Sequence, residues 1–121
     1  MARAWRIEYD GALYHVLSRG NEQQHIFRDD QDRTRFLEST GEMSEHFDIN
    51  IFAYVLMGNH IHLLLKTNRS NLSKGMQWLG LAYTRRFNIR HLRSGHLFQG
   101  RFKSIIVERE TGSNLNYLLL S

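Results

Sequence analysis

His60 and His62 stand two residues apart in the stretch His60-Ile61-His62-Leu63-Leu64-Leu65-Lys66-Thr67, whose remaining side chains are apolar until its basic end. On a β-strand, alternate side chains leave by the same face, so both imidazoles share a face with Leu64 and Lys66. Ile61, Leu63 and Leu65 make the opposite, apolar face. Two neighbouring imidazoles can chelate one divalent cation. Zinc, copper, nickel or manganese suit ring nitrogens, whereas magnesium prefers oxygen and needs further oxygen donors. His15 alternates in phase with Leu13 and Leu17, which fits a structural or ligand-orienting role better than direct ligation.

The charge around this pair is lopsided. Residues 1–48 carry ten acidic and six basic side chains, whereas residues 49–107 carry nine basic ones and no carboxylate. A block of that kind attracts a polyanion, because each phosphate contact also releases condensed counterions. Lys66, Arg85, Arg86, Asn88, Arg93, Gln99, Arg101 and Lys103 are the candidate DNA contacts, and Phe98 or Trp78 could stack on a base. The 121-residue chain has 41% hydrophobic residues and no cysteine, which allows one core and excludes disulfides and thiolate metal sites. It contains no run of 18 apolar residues, and Met1 to Arg6 lacks the apolar stretch of a signal peptide, so the expected setting is a reducing cytoplasm with no membrane partner.

Six elements would position these residues. Residues 12–19 alternate as a strand. Asp29 or Asp30 caps a helix to Phe47, with Phe36, Leu37, Thr40, Met43 and Phe47 on one side. Residues 49–57 and 60–67 are two strands joined at Gly58-Asn59, a hairpin connection. Asn71 precedes a second long helix with Leu72, Met76, Leu79 and Tyr83 as its buried stripe. Residues 102–108 form a further strand, Thr111-Gly112-Ser113 break it, and residues 114–121 look like the opening turns of a last helix. Tyr14 and Tyr54 are expected to pack within their strands. The order predicts an α+β, ferredoxin-like (RRM-like) fold, an antiparallel sheet with helices on one face.

Read as an ordered set, YHVLSRGN (14–21), IFRDDQDRTRFLE (26–38), FAYVLMGNHIHLLLKT (52–67), NLSKGMQWLGLAYTRRFN (71–88) and GHLFQGRFKSIIVE (95–108) closely resemble the HUH single-tyrosine transposases, nearest to the REP-associated branch. The likeness covers nearly all of residues 5–110, with Gly58 standing where the family usually has proline. It implies that His60 and His62 hold Mg²⁺ or Mn²⁺ against a phosphate of single-stranded, hairpin-forming DNA. It also implies that a helix-borne tyrosine attacks that phosphate, leaving a 5′-phosphotyrosyl link and a free 3′-hydroxyl.

The family's nucleophile lies in a late Tyr-Ile-x-Leu-Asn-Pro segment, with a polar metal ligand four residues on. Tyr117 is the candidate here, with Ser121 four residues beyond it. A second alignment matches residues 117–121 to the Tyr-Leu-Leu stretch that precedes the nucleophile, and then that tyrosine is absent from this sequence. Both alignments stay open. The expectation is one HUH transposase-like domain over residues 1–121 that can lack the end of the catalytic helix, cytoplasmic and nucleoid-associated, monomeric or homodimeric. It is either a nuclease and strand transferase or a non-catalytic DNA-binding remnant. A zinc protein unrelated to DNA is the remaining rival.

Overall fold

The computed structural model describes residues 8–111 and 114–117, with side chains described through residue 108. The chain runs β1 (Ala12–Arg19), α1 (Asp30–Phe47), β2 (Ile49–Leu56), β3 (His60–Thr67), α2 (Leu72–Arg90), β4 (Lys103–Thr111) and β5 (Asn114–Tyr117), with a short 3-10 turn at Asn21–Gln23. The strands form one antiparallel sheet in the order β2-β3-β1-β4-β5. Its first four strands have the order expected of a ferredoxin-like fold, with β1 and β3 at the centre.

The two central strands divide their side chains by parity. Ala12, Tyr14 and Val16 of β1 and Ile61, Leu63 and Leu65 of β3 are buried in one core with Phe36 and Met43 of α1 and Leu72, Met76, Leu79, Tyr83 and Phe87 of α2. Both helices therefore lie on one face of the sheet. The other face carries the odd residues of β1 and the even residues of β3, and no described helix packs on it.

Local chemistry sets the helix ends. Asp29 caps α1, its carboxylate accepting the amide of Asp32 at 3.0 Å. Asp48 ends α1 in the left-handed region at φ 53°. Where α2 crosses α1 and β2, a Cβ on Gly75 would stand 2.7 Å from Cδ1 of Ile49 and 3.2 Å from Sδ of Met43. The absent side chain is what lets the helix sit so close. Tyr83 is core, as its place on the helical stripe predicts, and its hydroxyl donates to the carbonyl of Ile26 at 2.5 Å.

Two sequence expectations are corrected. Residues 114–117 are a strand, not the start of a helix, and pair with Glu108–Thr111. Tyr54 is 46% exposed instead of packed. It lies on the edge strand β2, just past the irregularity between Ile51 and Ala53, and borders an open cleft between β2 and α1.

Candidate functional site

The open face of the sheet can be built row by row from strand register, since directly paired residues share a face. One row runs Val55, His62, Leu17, Lys103, and the next runs Ala53, Leu64, His15, Ile105. Arg19 pairs with His60, and Leu13 lies between Lys66 and Glu108. Among the described residues, three imidazoles, three cations (Arg19, Lys66 and Lys103) and the carboxylate of Glu108 thus occupy a face floored by Leu13, Leu17, Leu64, Val55 and Ile105.

The ring contacts are specific. Nδ1 of His60 lies 2.8 Å from Oδ1 of Asn59. A carbonyl oxygen only accepts, so this bond places the His60 proton on Nδ1 and leaves the lone pair on Nε2. Nδ1 of His62 lies 2.9 Å from Nε2 of His15, with the two rings nearly coplanar, 5.1 Å between centroids and 18° between planes. The rings of His60 and His62 are themselves 5.2 Å apart and nearly perpendicular at 82°. Burial, with the charges of His15, His60 and Arg19 beside it, pushes the His62 imidazolium below its usual pKa and favours a neutral ring.

These contacts fit a two-histidine donor set for one cation, with Nε2 of His60 free to ligate and that of His62 free when its Nδ1 donates to His15. Among the described residues no group of three or more His, Asp or Glu side chains is arranged to hold a metal. Two protein nitrogens leave most of a coordination sphere to water and a phosphate ligand, a pattern that hard divalent cations accept.

The candidate contacts from sequence separate into two groups. Arg85, Gln99, Arg101 and Lys103 are exposed, and Lys66 is half-buried on the histidine face. Arg86 instead forms a two-pronged ion pair with Glu42 at 2.8 and 3.0 Å, joining α2 to α1. Arg93 donates to Asn88, to Gln24 and to the carbonyl of His96, and Asn88 donates to the carbonyl of Gly95, so this pair braces the loop after α2. Trp78 packs against His46 and Phe47, and Phe98 lies half-buried beside Tyr83.

Sequence reasoning missed Arg19 and Asn59. Arg19 keeps phase with His15 and Leu17, and Asn59 adjoins His60, so both signals were present.

Tyr117 pairs with Glu108, which pairs with Leu13. Three strand spacings separate β5 from β3, roughly 14 Å, and the four residues from the Leu13 row to the Leu17 row add roughly 13 Å along the strands. Its backbone therefore lies remote from His62.

The family described as "Transposase IS200 like" matches residues 8–118 of this chain. Among solved structures, a REP-associated tyrosine transposase bound to a REP hairpin is similar at a TM-score of 0.73 and 14% identity. The match covers 92% of this chain and 64% of that one, so the chain spans a little under two thirds of that relative. A presumed transposase from Deinococcus radiodurans R1 is similar at a TM-score of 0.66 and 17% identity, over 87% of this chain and 83% of that one. At such identities these two likenesses are likenesses of fold. Among curated protein sequences nothing matches.

Proposed function

The chain belongs to the IS200-like transposase family, and from that premise we propose that its open sheet face is a metal-dependent site for single-stranded, hairpin-forming DNA, used for endonuclease and strand-transfer chemistry at the nucleoid. One observation carries the reading. Two imidazoles, each engaged through Nδ1, share a face with Arg19, Lys66 and Lys103. His60 and His62 would hold Mg²⁺ or Mn²⁺, of which manganese suits nitrogen donors better. Bound there, the cation supplies polarisation of a phosphoryl oxygen.

The residues of the chain do the rest. Arg19, Lys66 and Lys103 hold the strand by its phosphates, and Gln99 and Arg101, on the loop whose Gln99 amide donates to the carbonyl of Arg19, extend that grip beyond the histidines. The leucine floor excludes water from beneath the phosphate, which strengthens each charge contact. Tyr117 is the nucleophile we assign. A bond forms between its Oη and phosphorus as the bond from phosphorus to the 3′ oxygen breaks; the phenol loses its proton and the departing 3′ oxygen gains one. For Tyr117 to serve, β5 must leave β4 or the tyrosine must reach the site of a second copy.

The distance of β5 from His62 supports a second reading, a DNA-binding relative in which this segment is structural. Incubation with a labelled hairpin oligonucleotide and Mn²⁺, followed by a denaturing gel, separates the two. A covalent adduct that disappears in Tyr117→Phe supports the transferase, and an adduct that survives the change moves the nucleophile elsewhere. Tight binding without adduct under any metal selects the binding module, and affinity indifferent to salt ends both readings.

A further inference from the structure

The contact between His15 and His62 has two possible senses, with different consequences. A neutral imidazole carries one N–H and one lone pair. If His62 donates from Nδ1 to Nε2 of His15, the His62 lone pair stays on Nε2. If His15 donates from Nε2 to Nδ1 of His62, the remaining His62 nitrogen carries hydrogen and cannot bind a cation.

His60 shows which sense matches its partner, since Asn59 already fixes the His60 lone pair on Nε2. His15 sits on the central strand directly beside β3, paired with Leu64 on one side and Ile105 on the other. Its ring meets that of His62 edge to edge, nearly coplanar at 18° with centroids 5.1 Å apart. Engaged with Nδ1 of His62 at 2.9 Å, Nε2 of His15 is also withdrawn from ligation.

We infer that His15 is a positioning residue: it accepts the Nδ1 hydrogen of His62 and so fixes the tautomer and tilt that present Nε2 beside that of His60. The inference rests on the metal reading above for its purpose, but not for its geometry. An acceptor at this place is what the site needs, and a second basic ring is merely one way to supply it. Glutamine, whose amide oxygen accepts, should therefore stand in for His15, and leucine should not.

The test uses the whole metal-free chain at a pH where the imidazoles are neutral. Long-range proton–nitrogen NMR reads the His62 tautomer, and Mn²⁺ titration followed by electron paramagnetic resonance reads affinity. In the parent protein and in His15→Gln, His62 should carry hydrogen on Nδ1 only. In His15→Leu, which suits the leucine-rich surroundings and should fold, both tautomers should appear and Mn²⁺ affinity should fall about 10- to 100-fold. The glutamine variant should recover most of that loss. Hydrogen on Nε2 of His62 in the parent protein would overturn the inference, as would unchanged Mn²⁺ affinity in His15→Leu. A parent protein with hydrogen on Nδ1 that takes up no Mn²⁺ leaves the role of His15 standing and removes the metal reading instead.

Discussion

Asp32 is a buried carboxylate with three partners: the amide of Arg28, the guanidinium of Arg90 at 2.6 Å and the ring of His91 at 2.9 Å. Burial alone would raise its pKa, but these donors outweigh burial and hold it below the usual range. Asp29 is held low as well, chiefly by Arg90. A carboxylate whose folded pKa is depressed contributes stability above its unfolded value, near 4, and that contribution is lost as pH falls through the folded value. Denaturant unfolding should thus show stability declining below about pH 4, with a shallower decline in Asp32→Asn. At neutral pH the same variant should be less stable by about 1–3 kcal/mol, because Arg90 and His91 lose a charged acceptor. An unchanged acid limb would show that Asp32 is not held as described. Sequence alone conceals the pairing of Asp32 with Arg90 and His91, because they lie about 60 residues away along the chain. The ion pair of Arg86 with Glu42 and the bracing role of Arg93 are hidden for the same reason, whereas the common face of His60 and His62 follows from strand period alone.

Among the elements, two helical glycines make a matched pair. Gly41 lies exposed in α1, and a Cβ added there would meet nothing within 4 Å, so Gly41→Ala should stabilise by roughly 0.5–1 kcal/mol through backbone entropy. Gly75→Ala gains the same entropy but must displace Ile49 and Met43, and overpacking of this kind costs typically about 1–3 kcal/mol. Its net effect should be a loss of about 1 kcal/mol. Urea midpoints for both variants check this, and a stabilised Gly75→Ala would show that the contact with α1 and β2 is looser than described. The helices and central strands are legible in the sequence because periodicity and caps agree over many residues. β5 is not, because a four-residue segment carries too little periodicity to separate strand from helix. Thr111-Gly112-Ser113 reads in the sequence as a break because no periodic run follows it. Which strand neighbours which is set by packing over long separations, so the place of Arg19 beside His60 came only with the sheet.

Across the whole molecule, charge is segregated by sequence, with nine basic and no acidic side chains in residues 49–107. Folding sharpens this pattern by consuming some of those cations internally, Arg86 and Arg90 among them, and leaving others on the histidine face and around the loop after α2. Among the described residues no helix is long and apolar enough to cross a membrane. If Arg19, Lys66 and Lys103 each neutralise one phosphate of a single strand, their share of the salt dependence is a slope of about −2 in log affinity against log salt. Arg19→Ala should weaken binding across sequences alike and reduce the slope by about 0.7. An unaltered slope would place the strand elsewhere.

On this reading His60 and His62 couple a cation to single-stranded DNA. Fluorescence anisotropy of a labelled hairpin oligonucleotide with a single-stranded flank, with and without Mn²⁺, tests it most directly. The parent protein should bind several-fold more tightly with Mn²⁺, and the His60→Ala, His62→Ala double variant should bind equally with and without it while unfolding at the same temperature. An equal gain from Mn²⁺ in the double variant, or no gain in the parent protein, would show that the two histidines do not hold the cation against DNA.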